Sequence, residues 1–359
     1  TQMVQLFLPS MGIVAVPVAK ESDIQYSVDK ILNDAKLPDR EISPLKLDSI
    51  IETGDGSSDT KQDEKTTTVT VAGDVTFATD SDQLSAQADS VLASVVEQVK
   101  KFPSGGDLTI TGHTDDVADD AHNQELSERR AKAVSERLKK LTDLSKWKES
   151  VSGKGESSPR VPNDSDEHRQ VNRRVEIALT PSKPAEASAP ASTGAAPSSA
   201  AMPKASGPVG KGPEGVDVKI DAKTVHVSME RAVRAGRFLM GTLMLDVDKE
   251  VSLPAAAFSM PGSVQDKYWP GFSLAVCSLT LLSQGRYYLE ASYSNSAGNA
   301  APLSNNFVYP LQPGAPTRLP AVWPDPGGDS IVLDVPPGEN SVAPQRLSFR
   351  LTDIPVVDS

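Results

Sequence analysis

Apolar residues in this chain recur with two different periods, and the change from one to the other marks out its elements. Residues 66–79, TTTVTVAGDVTFAT, alternate and are rich in β-branched side chains, which predicts a strand. Leu84, Ala88, Val91, Leu92, Val95, Val96 and Val99 fall mostly three or four apart and predict an amphipathic helix, stopped by Pro103 and the Gly105-Gly106 pair. Alternation returns at 108–112 and ends in a tight turn. Leu126, Ala131, Val134, Leu138 and Leu141 then predict a second helix over about 122–141. Residues 147–153 are a third strand candidate, 155–169 a polar loop with Pro159 and Pro162, and 174–179 (RVEIAL) a closing strand. Strand, helix, strand, helix, strand, strand over 66–180 implies a layered α+β unit, a mixed sheet with both helices on one face.

The flanks follow other patterns. In residues 1–65, short strands are expected at 3–8 and 13–18. Ile24, Val28, Ile31 and Leu32 predict a helix at 23–35, and 54–65 (GDGSSDTKQDEK) has no apolar anchors and reads as a hinge. Residues 181–215 are almost wholly Ala, Pro, Ser and Gly; this composition buries no core and predicts a semi-extended linker between independent domains. Residues 216–359 read as all-β, with strands at 216–220, 224–229, 238–246, 276–282, 287–293 and 331–335 and one more at 346–351. Regular Gly, Pro and Asn punctuation there suggests a β-sandwich. Phe238, Leu239, Met240, Leu243, Met244 and Leu245 fit a strand core and no cofactor box.

Composition narrows the function. With 359 residues, two or three domains are expected. A net charge of −12 argues against nucleic-acid binding and against adsorption to anionic membranes. The single cysteine, Cys277, allows no intrachain disulfide and no Cys-based zinc site. No stretch has the length of a transmembrane helix. The apolar N-terminus is broken by Pro9, Gly12 and Pro17 and does not read as a signal peptide; for an exported protein, the signal or anchor is expected upstream of residue 1.

The most informative chemistry lies at 109–130, TITGHTDDVADDAHNQELSERR. Asp115 falls on the loop after a strand, and Arg130 in the first turns of the helix that follows. Together a carboxylate and a guanidinium can grip a zwitterion, one end each; the bland reading is a salt bridge tying loop to helix. Asp116, Asp119 and Asp120 lack the glycine and distal glutamate of a calcium loop, and His113 and His122 lack a third ligand, so no metal and no cofactor is expected.

The GHTD turn (112–115), Asn123, LSERRAKAV (126–134), NRRVEI (172–177) and the upstream VTFATDSDQL (75–84) occur in an order and spacing that resemble the OmpA-like peptidoglycan-binding domain family. The resemblance covers about a third of the chain. It implies non-covalent binding of the diaminopimelate stem of peptidoglycan by an extracytoplasmic envelope protein. The family's carboxylate falls on Asp115 and its arginine on Arg130, with Thr114, Asn123 and Arg174 as further ligand-binding candidates; of Arg173 and Arg174, one is expected to pack and the other to border the site. The chain departs from the pattern at two places. Ala118 stands where the family has the glycine of TDxxG, and Ala78 where some members carry a carboxylate, with Asp80 two residues on as a substitute. These departures keep open an assembly protein that retains the fold without the ligand. A peptidoglycan hydrolase, the other alternative, would need an acid pair such as Asp115 with Asp116 or Asp80. The C-terminal region more loosely resembles Ig-like sandwich modules of exported bacterial lipoproteins, through SLTLLSQGRYYLEASYS (278–294), YPLQPG (309–314) and VWPDPGGDSIVLDVPPG (322–338), and implies an envelope protein as a second partner.

Overall fold

The computed structural model describes residues 2–8, 12–18, 47–78, 80–183, 202–220, 222–253, 257–258, 266–269, 278–294, 300–303, 310–336 and 347–358. The alternation at the start of the chain gives β1 (Gln2–Leu8) and β2 (Gly12–Val18), an antiparallel pair. The helix expected at 23–35 lies outside the described residues.

Three antiparallel strands follow: β3 (Leu47–Thr53), β4 (Ser58–Gln62) and β5 (Thr67–Ala72). The polar segment 54–65, expected as a hinge, is thus a strand with its turns. Asp55 and Asp63 accept backbone N–H groups of Ser57, Lys65 and Thr66, so side-chain acceptors replace apolar anchors in holding the turns. The strand expected over 66–79 stops at Ala72. A single helical turn, α1 (Gly73–Thr76), takes over as Thr76 Oγ1 donates back to the Ala72 carbonyl at 2.7 Å and the Gly73 N–H donates to the Arg173 carbonyl at 2.7 Å.

The remaining elements of the central unit are α2 (Ala88–Lys101), β6 (Gly106–His113), α3 (Asp120–Leu141), β7 (Trp147–Gly153), α4 (Asp166–Asn172) and β8 (Arg174–Pro181). Strand β8 lies between β5 and β6, antiparallel to both, and β7 is parallel to β6. The sheet is therefore mixed. Val91, Leu92, Val95 and Val99 of α2 and Ala131, Val134 and Leu138 of α3 share one buried cluster with Val69, Val71, Leu108, Ile110, Val175, Ile177 and Leu179. The i, i+2 spacing of the strand members puts them on one face, which both helices cover. Helix α4 falls inside the expected loop 155–169 and extends past it; Ser165 caps it by accepting from the His168 N–H, and Asp166 and Glu167 fill its first turn.

Of the expected linker, 184–201 lies outside the described residues, whereas 209–211 is already strand β9 (Val209–Lys211), paired to the last strand of the chain. Next come β10 (Val216–Ile220), β11 (Lys223–Ser228), β12 (Ala232–Ala235) and β13 (Phe238–Asp246), then β14 (Thr280–Ser283), β15 (Arg286–Tyr288), β16 (Ser292–Ser294) and β17 (Ala300–Pro302), and finally β18 (Thr317–Pro324), β19 (Ser330–Val335) and β20 (Phe349–Asp358). β13 pairs with β11 and β12 on one side and β18 on the other, while β14, β19 and β20 form a second antiparallel run. Both sets contribute to one apolar cluster that includes Leu243, Trp323, Leu281, Leu333 and Phe349.

The two halves of the chain share a strand. One edge of β3 pairs with β4; the other pairs with β15 (Ile51 opposite Tyr288) and with β16 (Asp48 opposite Ser292). Ile50 of β3 is buried with Tyr268, Trp269 and Leu289 of the C-terminal half.

Candidate functional site

Between α1 and the start of α3 lies a cleft of about 780 Å3, whose wall includes Asp74, Phe77, Thr114, Asp115, Arg130 and Arg173. The local folding that makes it is simple. β6 ends at His113 and the chain must turn before α3 begins. Asp119 caps α3, its carboxylate accepting the His122 N–H at 2.9 Å, and the helix runs on for 22 residues, so that Arg130 comes round to the sheet side in its third turn. Asn123, buried at the start of α3, clamps the loop: its Nδ2 lies 2.6 Å from Glu156 Oε2 and within hydrogen-bond reach of the Asp115 and Ala118 carbonyls.

Arg130 is buried, with its guanidinium 5.2 Å above the Phe77 ring, and its Nε donates to the Ser81 carbonyl at 2.9 Å. Its two Nη groups have no acceptor among the described residues. Burial pulls the guanidinium below its ordinary value, against the opposing pull of Asp74, Asp80 and Asp115, and it stays charged at any pH a protein meets. A buried cation with unspent planar donors in a cleft wall is poised for a carboxylate.

Asp115 is buried across the same cleft and makes no ion pair with Arg130. Its Oδ2 accepts from Arg173 Nη1 at 2.6 Å and its Oδ1 from the Val117 N–H at 3.3 Å. Arg173 also grips Asp74 with Nε and Nη2, at 2.7 and 2.6 Å. The hydrogen bonds Arg173 donates to Asp74 and, after partial burial is set against them, to Asp115 hold its guanidinium far above its ordinary value. The loop-to-helix salt bridge between Asp115 and Arg130 does not form; the acid is oriented instead by Arg173, which caps the C-terminus of α4 just before β8.

Thr114 presents a buried Oγ1 with no hydrogen-bond partner among the described residues. Arg174, expected at the site, points elsewhere. Its Nε, Nη1 and Nη2 donate to Glu176 Oε1 and to the Asn172 and Ser158 carbonyls. Period-two alternation puts neighbouring residues on opposite faces, so of the Arg173-Arg174 pair only the first reaches the cleft. Asp80 lies at the rim, with φ at 46° and Oδ1 3.2 Å from His122 Nε2. Ala118 keeps a negative φ, so replacing glycine here strains no backbone. Ala78 adds a methyl group to the wall in place of a polar one. His113 is buried 3.7 Å from Glu176, outside the cleft. The described residues hold no group of three His, Cys, Asp or Glu side chains fit for a metal ion. None of the described helices is long and apolar enough to cross a membrane.

Part of the chain is similar in sequence to known proteins. The OmpA family model matches residues 76–173, which carry most of the cleft. Outer membrane porin F of Pseudomonas aeruginosa is 38% identical over 108 residues, 30% of this chain and 31% of the relative. Outer membrane protein A of Escherichia coli O157:H7 is 34% identical over 122 residues, 30% of this chain and 34% of the relative. The chain thus spans about a third of the length of these curated relatives. Among solved structures, the cell wall anchor of the T6SS from Pseudomonas aeruginosa is 28% identical, covers 35% of this chain and 88% of its own, and superposes with a TM-score of 0.31. Residues 76–173 of this chain are an OmpA family domain.

Proposed function

We propose that the cleft binds the free end of the diaminopimelate residue in the stem peptides of peptidoglycan, and that the protein is a non-catalytic wall-binding component of a bacterial cell envelope. The observation that carries this reading is the Arg130 guanidinium, buried in the cleft wall with no acceptor for either Nη group among the described residues. It faces the ligand's carboxylate. The neighbouring ammonium sits against Asp115, whose carboxylate is oriented by Arg173 and retains lone pairs for further donors. Thr114 Oγ1 supplies a neutral partner, and Asn123 holds the loop rather than the ligand. Each charge-assisted contact is worth roughly 1.5–3 kcal/mol.

The test is cosedimentation with diaminopimelate-type peptidoglycan. Wild type pellets with the polymer; Asp115→Ala and Arg130→Ala remain in the supernatant. If either variant pellets like wild type, the two-ended grip is wrong. Incubation with purified sacculi is expected to release no muropeptides: Asp116 is paired with Arg169 at 2.9 Å outside the cleft, Asp115 is tied to Arg173, and Asp80 lies against His122 at the rim. A second reading, an assembly protein without the ligand, draws on the apolar Ala78 and on Val117, which is 74% exposed at the rim; a thermal shift on adding diaminopimelate excludes it. The C-terminal strands we read as an Ig-like sandwich that contacts another envelope protein.

A further inference from the structure

The loop after β7 touches the cleft at one end and the C-terminal half of the chain at the other. At the near end the Thr114 N–H donates to the Gly155 carbonyl at 3.0 Å, and Glu156 takes the Asn123 amide at 2.6 Å. At the far end Arg160 reaches Asp59 of β4 with Nη1 and Nη2, at 3.0 and 3.3 Å. The backbone between is pinned, since the N–H groups of Arg160 and Val161 both donate to Asn172 Oδ1, one residue from Arg173.

Asp59 is 3% exposed and serves two cations. Lys267, from the C-terminal half, lies 3.1 Å from Asp59 Oδ2 and 2.6 Å from Glu52 Oε1. Arg160 and Lys267 both lie over the Tyr268 ring, at 5.1 and 4.9 Å. Glu52, Asp59, Lys267 and Tyr268 all fall outside residues 76–173. The far anchor of a cleft-supporting loop is therefore supplied from beyond the family domain.

We propose that Asp59 is a positioning residue for the cleft, holding Arg160 and Lys267 together so that the junction with the C-terminal half sets how firmly the loop supports Thr114 and Asn123. The ligand side of this inference rests on the function proposed above. A coupling of this kind is reciprocal: ligand in the cleft also tightens the junction. Removing the Asp59 charge takes from Arg160 its carboxylate partner and leaves it beside Lys267, which keeps Glu52, so the loop end must move.

Hydrogen exchange of the full chain without ligand tests the coupling directly. In Asp59→Asn, amides in 112–124 exchange about fivefold faster or more, the low end of ordinary coupling between sites, while those of α2 keep the wild-type rate and Asp59→Glu restores most of the protection. Lys267→Gln, which keeps the family domain and Arg160 intact, gives the same change in smaller measure and serves if Asp59→Asn does not fold. Arg286→Gln, which breaks a junction contact with Glu97 at 2.7 Å away from the loop, leaves 112–124 unchanged. Peptidoglycan cosedimentation then falls in parallel. Unaltered exchange at 112–124 in both Asp59→Asn and Lys267→Gln overturns the proposal, as does equal acceleration across α2. If wild type fails to bind peptidoglycan, the function falls, and the exchange result still decides the coupling.

Discussion

Arg130 and Arg174 are both buried arginines, yet their environments assign them different work. Arg174 spends its donors on Glu176 and two carbonyls, whereas Arg130 spends one on Ser81 and holds the rest toward the cleft. Arg130→Met keeps most of the packing against Phe77 and removes the fork; binding to diaminopimelate-type peptidoglycan is expected to fall about 10- to 150-fold, the worth of one charge-assisted contact. Arg174→Met leaves that affinity within a few-fold of wild type and lowers stability, because it strips Glu176 of its partner. Burial works to raise the Glu176 carboxyl, but His113 and the Arg174 guanidinium overcome it and hold it at about 2, against 4.5 for an unfolded glutamate. This stabilisation is complete above pH 4.5 and is lost as the pH falls through 2. About a third of the side chain is open to water, so its worth is on the order of 2 kcal/mol. Urea titrations at pH 7 and pH 3 measure it: wild type loses stability between the two, and Glu176→Gln, already lacking that contribution at pH 7, loses less.

At the scale of elements, the site depends on how closely α3 lies on the sheet. A Cβ built on Gly112 would sit 2.1 Å from the Ser127 carbonyl oxygen, a backbone atom that cannot swing aside. Gly112→Ala must therefore lift α3 from β6, which costs about 1–3 kcal/mol in urea denaturation and carries Arg130 away from Asp115, so binding falls along with stability. A variant that loses stability but binds as before would show that α3 shifts without moving the cleft. The central elements were legible because their side chains report their surroundings directly: Val91, Leu92, Val95 and Val99 on one helical stripe, Val175, Ile177 and Leu179 on alternate strand positions. What was not legible depends on partners distant in sequence. β4 is polar throughout and is a strand only because β3 and β5 flank it. β18 carries Pro320 and Pro324, which argue against a strand; among the described residues its one ladder is with β13, so the missing N–H groups cost little pairing. Likewise the motif placed Asp115 and Arg130 in one cleft, but not the choice of Arg173 over Arg174, which follows from the register of β8 against β5 and β6. Ser165 followed by two acids was a readable signal for α4, hidden by the surrounding prolines and polar residues.

The organisation of the whole molecule turns on β3. An Ala/Pro/Ser-rich run between two units suggests independent domains on a tether, and with a tether alone the spacing between them would follow its length. Instead β3 donates both edges, one to β4 and the other to β15 and β16, and buries Ile50 against Trp269 and Leu289. Polar contacts add to it: Lys267 with Glu52, Arg286 with Glu97, and Arg237 donating to the Leu47 carbonyl at 2.7 Å. The chain connection through 184–201 is then unnecessary for holding the halves together. A protease site placed there and cut should yield two fragments that co-elute in gel filtration, and that still co-elute at 1 M salt, where the Debye length shrinks to about 3 Å and exposed ion pairs fade but strand pairing and apolar burial persist. The cut protein should also unfold in urea in the same cooperative step as the intact chain, because separating the halves exposes Ile50 and strips β15 and β16 from one whole edge of β3 at once. Fragments that part at low salt would mean that the strand contact is too weak to hold without the covalent connection, and that the run does set the spacing. Co-elution only at low salt would assign the junction to its ion pairs. Only if the fragments still co-elute at 1 M salt is anything bound by the C-terminal half held at a fixed orientation to the cleft proposed to bind the wall.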